Sequence, residues 1–302
     1  MGIAARLKGL ARHGLLYAGY GTKPSFLILG AQKAGTTALF AYLCEHPAVV
    51  GSTRKELGFF TPEAFVDWPE HPHHDVLCAN EWERPLGSRR KRAWYESHYP
   101  LPHRMRGKLA FEATPEYLYV PAAAERIHAY RPDMKVIALL REPAERAFAA
   151  WTMYSNFGSY RARVYAPRRE QRPFAEAVEH ELDQLEQGHA PLEPGYVRRG
   201  LYAEQLERFL ERFGPDQVLI LDSARLSRET SEVVNQVCAF LGLSPLAPRE
   251  WPRVHVGRYW DSPEAVKHVL SKLRAFYAPH NQRLVGLMAQ PPSWAHPTPL
   301  NV

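Results

Sequence analysis

The sequence predicts an α/β protein: a central, mostly parallel sheet flanked by layers of helices. Three observations carry this. Short apolar runs occur at Phe26–Leu29, Lys135–Leu140 and Val218–Leu221, of the kind that forms strands buried on both faces. Helical patterns alternate with them, and a strand–helix alternation calls for parallel pairing. The chain has 302 residues, 45% of them hydrophobic, enough for one large domain with its own core.

In chain order, Phe26–Leu29 runs through Gly30-Ala31-Gln32-Lys33-Ala34-Gly35-Thr36-Thr37 into a helical pattern from Ala38 to Cys44. A second strand is expected at 48–50 and a third at 109–111. Pro121 to Tyr130 reads as a helix with proline in its first turn. Lys135–Leu140 is followed by Arg141-Glu142-Pro143 and a helix over 144–154. Further helices are expected at 174–188, 201–212, 229–241 and 263–288. Residues 61–108 show no clear period; they and 155–195 read as insertions in one domain spanning 24–290. Residues 1–23 read as a helical extension and 291–302 as a tail.

Net charge is +6, which suits an anionic ligand. The basic residues are scattered and no nucleic-acid motif accompanies them, so no nucleic-acid partner is expected. Cys44, Cys78 and Cys238 form no C-x-x-C pair and no zinc spacing, so neither a disulfide framework nor a metal site is expected. Cys44 and Cys238 read as small buried thiols. No apolar run approaches the roughly 20 residues that span a bilayer, and the N-terminus lacks a signal-peptide core; a cytoplasmic location is the expectation. Arg6, Lys8 and Arg12 among Leu7, Leu10, Leu15 and Leu16 would suit weak contact with an anionic membrane surface, or an ordinary surface helix. Nothing in the sequence speaks to oligomeric state.

The glycine loop carries the chemistry. Gly30 and Gly35 have the spacing of a phosphate-binding G-x-x-x-x-G, giving the fold a P-loop-like opening. Residue 36 is threonine where a nucleoside triphosphatase has lysine. Backbone amides at the start of the helix can still cradle an anion, and Thr36 and Thr37 add hydroxyls. The loop's lysine is Lys33, at its crest. A transferring sulfuryl group carries less charge than a phosphoryl group, so one placed lysine could serve where a kinase needs a metal. Asp222, after the last strand, comes too late in the chain for a convincing metal-binding aspartate.

Four segments in order resemble the heparan-sulfate-type branch of the sulfotransferases that use 3′-phosphoadenosine 5′-phosphosulfate (PAPS), and its bacterial relatives. They are Gly30–Thr37, Lys55-Glu56-Leu57-Gly58-Phe59-Phe60, Arg141–Arg146 and Leu273–Asn281. The resemblance implies that residues 30–37 hold the 5′-phosphosulfate, with Lys33 at the bridging oxygen. It implies that Glu56 is the catalytic base, in surroundings made apolar by Phe59 and Phe60, and that Arg141 binds the 3′-phosphate. Tyr202 would line the nucleotide site, and Gly257 and Arg258 would close over it. The implied reaction is in-line transfer of a sulfuryl group to a hydroxyl, of a carbohydrate or a small molecule, releasing adenosine 3′,5′-bisphosphate without a metal.

Read as residues alone, Glu56 could equally be a surface partner of Lys55 or Arg54, and Arg141 could pair with Glu142 or Glu145. Three positions depart from the family pattern. Ala149 replaces a usual serine, for which Ser155 could compensate; Gly58 replaces a frequent histidine; and Ala113 stands where some members have lysine. Trp68, Trp82, Trp94 and Tyr95 could stack on an acceptor or anchor the core. The Arg-rich stretch 161–172 could line an acceptor cleft. Competing readings are a Mg²⁺-dependent P-loop kinase or nucleotide hydrolase, and a binding protein that keeps the fold without the reaction.

Overall fold

The computed structural model describes residues 3–63, 87–157, 163–189, 194–247, 249–252, 264–288 and 290–295. Helix α1 (Ile3–Tyr17) precedes strand β1 (Phe26–Gly30), whose residues are all buried. Helix α2 (Thr36–Cys44) leads to β2 (Val49–Gly51), α3 (Arg89–Glu96), α4 (Pro102–Met105) and β3 (Leu109–Ala113). Next come α5 (Glu116–Tyr119), α6 (Ala123–Tyr130), β4 (Lys135–Leu140) and α7 (Pro143–Ser155). The remainder comprises α8 (Phe174–Glu186), α9 (Tyr202–Leu210), β5 (Val218–Asp222), α10 (Ser223–Arg228), α11 (Thr230–Leu241) and α12 (Glu264–Val285).

The strands form one sheet in the order β2-β3-β1-β4-β5, and every pairing is parallel. Phe26 of β1 lies opposite Phe111 of β3 and Lys135 of β4, and the Phe26 and Phe111 rings stack at 4.6 Å. The register between β1 and β4 slips between Ile28 and Gly30, directly before the glycine loop. Chain direction fixes where a ligand can sit. The chain leaves β1 for one side of the sheet, then returns across it to β4 and β5. The C-terminal ends of β1, β3 and β4 therefore flank the crevice where an open α/β sheet binds ligands.

One main core joins the sheet to α2, α6, α9 and α11. A second packs α7 and α8 against α12 through Ala147, Phe174, Leu273 and Tyr277. The segment before α9 is pinned to this second core at several points. Arg146, fully buried, donates to the carbonyls of Gly195 (3.2 Å) and Tyr196. Tyr277 donates to Val197 O at 2.6 Å, and Glu181 accepts from the Arg198 amide at 2.9 Å.

Several expectations shift. Pro121 does not open a helix: α5 ends at Tyr119, Val120 is extended, and α6 begins at Ala123. Proline disfavours helical geometry in the residue before it, which breaks the chain there. Helix α3 was not visible in the pattern of its sequence because its buried face includes Lys91 and Glu96. Cys44 is exposed rather than buried; it is the last residue of α2. Tyr95 is a core anchor, fully buried and stacked on Phe59 at 4.1 Å. Cys78, Trp68 and Trp82 lie outside the described residues.

A Cβ at Gly200 would meet the Tyr277 hydroxyl at 2.6 Å and Pro143 Cβ at 2.9 Å. Gly200→Ala should therefore lower unfolding free energy by about 1–3 kcal/mol, the cost of overpacking; urea denaturation with an unchanged midpoint would contradict this packing.

Candidate active site

The loop after β1 is fastened through Ala31 and Ala34 and braced at its crest by Arg141. Ala31 N donates to Leu139 O at 2.7 Å, and Ala34 N to Ala31 O at 3.1 Å. Ala31 and Ala34 are buried. Gly30 admits no side chain, since a Cβ would lie 2.9 Å from Pro115 O. Gly35 precedes α2 at φ +95°, and no side chain caps the helix. The first-turn amides of α2 thus lack intrahelical acceptors and face the crevice with the positive end of the helix dipole. Gln32 Oε1 is buried without a hydrogen-bond partner, an acceptor that a ligand hydroxyl or amine could meet, and Thr36 at the start of α2 is buried. The uncapped amides are what an anionic ligand group would fit.

Lys33 sits at the crest with φ +66°. Burial, and then the charge of Arg141, push its ammonium below the ordinary lysine pKa; Glu56 pulls it back up. Arg141 follows β4. Its Nη1 donates to Lys33 O at 3.4 Å and its Nη2 pairs with Glu145 Oε2 at 3.3 Å. The guanidinium therefore braces the loop while making one of the pairs that residue reading alone allowed. Tyr202 is fully buried and donates to Arg141 O at 2.9 Å, so it reaches the site through the Arg141 backbone.

Glu56 lies on the segment after β2, at φ +63°. Its amide donates to Ala113 O at 2.9 Å, and its carboxylate pairs with Lys55, the other pairing the residues alone allowed. The next two amides are held by β3 side chains: Leu57 N by Glu112 Oε2 and Gly58 N by Thr114 Oγ1, both at 3.3 Å. Glu112 is wholly buried. It also accepts from Tyr95 (2.9 Å), Tyr117 (2.5 Å) and Thr114 (3.0 Å). Burial raises its pKa, and these donors oppose the rise. Phe59 and Phe60 pack into the core against Tyr95, Tyr117 and Tyr130; they anchor the Glu56 segment rather than wall the carboxylate.

Two further charged groups join. Glu116 opens α5 and pairs with Arg199 at 3.6 Å, and the Arg199 guanidinium lies over the Tyr119 ring at 4.4 Å. Burial raises the Glu116 pKa; Arg199 opposes this and Glu56 adds to it. Glu56 thus acts on both Lys33 and Glu116, which places Lys33, Lys55, Glu56, Glu116, Arg141 and Arg199 in one charged region. The sequence reading passed over Glu112 and Glu116 as site residues. A glutamate inside an otherwise apolar strand, Leu109–Ala113, was the signal that could have found the first.

Ala149 is buried in α7. Ser155 cannot replace the missing serine: it ends α7, about 18 Å along the axis from Pro143, and its hydroxyl donates to Trp151 O. Asp222, at the C-terminal end of the edge strand β5, caps α10 by accepting from Ala224 N at 2.9 Å. Arg169 and Arg172 of the Arg-rich stretch are engaged with Ser155 O and Glu170. Gly257 and Arg258 lie outside the described residues, as does Arg161. Among the described residues, no group of three or more His, Cys, Asp or Glu side chains could hold a metal.

A parallel sheet with an uncapped anion loop at its switch point defines a nucleotide-binding class of α/β protein. The sequence model of the sulfotransferase domain matches residues 23–251, and the chain belongs to that family. It is 28% identical over 231 residues to human bifunctional heparan sulfate N-deacetylase/N-sulfotransferase 3, covering 74% of this chain and 22% of that protein. It therefore spans about a fifth of the length of that relative. Human heparan sulfate glucosamine 3-O-sulfotransferase 6 is 27% identical over 296 residues, 90% of this chain and 73% of the relative. The crystal structure of a sulfotransferase from Alicyclobacillus acidocaldarius matches with a TM-score of 0.62 at 29% identity, over 91% of this chain and 100% of that one.

Two predictions follow from this geometry. Glu112→Gln sets an amide nitrogen against two donors and should cost about 2 kcal/mol of stability; thermal denaturation at neutral pH reads it, and no loss would contradict the hub. Left-handed backbone costs a residue with a side chain about 1 kcal/mol relative to glycine. Glu56→Gly should therefore be more stable than Glu56→Ala by about that amount in parallel melts, the reverse of an ordinary position.

Proposed function

We propose that this protein transfers a sulfuryl group from PAPS to an acceptor hydroxyl by in-line displacement. The observation that carries the proposal is the juxtaposition of Lys33 and Glu56 in one charged region. Both are held in left-handed backbone conformation, and their charges act on each other at the C-terminal ends of the strands. Residues with side chains persist in such strained conformations where the surroundings impose them, most often at functional sites.

Residues 30–37 would hold the 5′-phosphosulfate: Gly30 and Gly35 let the backbone approach, and Ala31, Gln32, Lys33, Ala34, Thr36 and Thr37 supply amides and side chains. Arg141, braced by Tyr202 through its carbonyl, would meet the 3′-phosphate, aided by Gly257 and Arg258. The co-substrate supplies an activated sulfuryl group on a good leaving group. Glu56 takes the proton of the acceptor hydroxyl as the new O–S bond forms. The old S–O bond breaks toward the nucleotide, and the Lys33 ammonium stabilises charge growing on the bridging oxygen. Adenosine 3′,5′-bisphosphate leaves with the electron pair. No divalent metal is required in this scheme. Asp222 is engaged as a helix cap, and residue 36 is threonine where a P-loop kinase has lysine; neither favours a Mg²⁺-dependent kinase reading.

The acceptor we propose is a carbohydrate hydroxyl, a reading supported by the heparan sulfate acceptors in the relatives' names. We place the chain in the cytoplasm on its cysteine usage; no described helix is long and apolar enough to cross a membrane.

Glu56→Gln should lower kcat at least ~100-fold, the scale of a lost general base, while bisphosphate binding changes little; retained turnover removes Glu56 from the mechanism. The protonated form of Lys33 is the active one and its pKa is lowered. The rate should therefore fall, as pH rises, below the 10.5 of an ordinary lysine. A pH profile flat to that value would contradict the role given to Lys33.

A further inference from the structure

Among the described residues, the large hydrophobic side chains that stand exposed are concentrated at one place. They are Leu10 (70% exposed), Leu15 (41%), Tyr17 (45%) and Tyr20 (65%), all on α1 or just after it. Leu10 and Tyr17 are two helical turns apart and share a face. The inward side of α1 is set by Leu16, which is buried against Ala93 of α3 and Leu101 before α4. Arg12 fixes the helix further by donating to Ser97 O at 2.6 Å and Tyr99 O at 3.1 Å. The helix is thus held by one side, and its apolar side faces outward.

Among the described residues, the charges on α1 and the helix beside it are predominantly positive. Residues 1–23 contain Arg6, Lys8, Arg12 and Lys23 and no acidic residue. Helix α3, which packs beside α1, exposes Arg89 and Arg90, and the segment that follows the Leu101 contact exposes Arg104, Arg106 and Lys108. The acidic residue between them, Glu96, is buried at 1% exposure and bonded to Tyr130. A second copy of this chain would bring like charges together. An anionic surface would neutralise them while the leucine and tyrosines enter the boundary between headgroups and acyl chains, where tyrosine is at home.

We propose that α1, with the basic turns of α3 and α4 beside it, is a docking surface for an anionic phospholipid bilayer. On such a surface α1 lies flat rather than crossing it: it has 15 residues, about 22 Å of helix. The same packing connects the surface to the cleft. His98, just past α3, accepts through its carbonyl from Thr53 N at 3.0 Å, and Tyr95 of α3 donates to Glu112. Docking would therefore set the Glu56 side of the crevice, rather than the β4–α7 side, nearest the lipid. The proposal stands whether or not the chain transfers sulfuryl groups, and its test reads no activity.

The test is co-sedimentation of the full chain with vesicles of phosphatidylcholine alone and of phosphatidylcholine with phosphatidylserine, at low and high salt. The protein should pellet with the serine-containing vesicles only, and added salt should release it. Leu10→Glu with Tyr17→Glu should lower partitioning at least about tenfold. Arg104→Gln with Lys108→Gln should lower it about tenfold. Both pairs are exposed, so circular dichroism should be unchanged. Protein that stays in the supernatant with both vesicles overturns the proposal, as does equal binding to both lipids or binding unaffected by either double substitution. A dimer seen by light scattering, lost in the Leu10→Glu, Tyr17→Glu variant and without vesicle binding, assigns the face to a second copy instead.

Discussion

The arrangement of the crevice depends on a carboxylate that never sees solvent. Glu112, in the buried strand β3, receives hydrogen bonds from Tyr95 of α3, Tyr117 of α5, Thr114 and the Leu57 amide. A buried carboxyl is costly unless its lone pairs are met, and here each oxygen meets two donors. The same satisfaction that makes the burial tolerable ties a helix on each side, and the segment between β2 and α3, to one point of the sheet. Thr114 extends the tie by accepting from Gly58. With Ala113 O, Glu112 and Thr114 holding three successive amides, the backbone at Glu56 is left little choice of conformation. Its left-handed turn is the result.

A comparable logic operates across the crevice. The loop at Lys33 is braced by Leu139 O below and by Arg141 beside it, and Arg141 is braced in turn by Tyr202 and Glu145. Each charged side chain of the site is carried on backbone that something else holds. Four cations and three carboxylates meet there: Lys33, Lys55, Arg141 and Arg199 against Glu56, Glu116 and Glu145. The surplus positive charge suits a highly anionic nucleotide, and burial of Lys33 keeps its field from being screened by water. The ion pairs that Arg141 and Glu56 make with Glu145 and Lys55 are compatible with this, since such exposed or half-exposed pairs are weak and can be exchanged for a ligand.

Much of this was legible before the fold was known. Lys135–Leu140 and Phe26–Leu29 read as buried strands because parallel strands need apolar residues on both faces, and the loop at 30–37 announced itself by glycine spacing. What was not legible has physical causes. Helix α3 buries Lys91 and Glu96, so its inward face does not look apolar. Val120 adopts an extended conformation before Pro121, which divides a helical stretch into α5 and α6. Phe59 and Phe60 are adjacent in sequence to Glu56, yet their rings belong to the core cluster of Tyr95, Tyr117 and Tyr130. Ser155 is a short way along the chain from Ala149 but more than a turn farther down α7, with its hydroxyl already used. The role of Glu112 needed three dimensions, because its four donors come from residues 57, 95, 114 and 117.

The central claim is that the crevice is built for a nucleotide carrying a 3′-phosphate, met by Arg141 and the Lys33 loop without help from a metal. Isothermal calorimetry of the protein with adenosine 3′,5′-bisphosphate and with ATP, each with and without Mg²⁺, tests it most directly. The account predicts that the bisphosphate binds more tightly than ATP and that Mg²⁺ makes no difference. Tighter or Mg²⁺-dependent binding of ATP would contradict it.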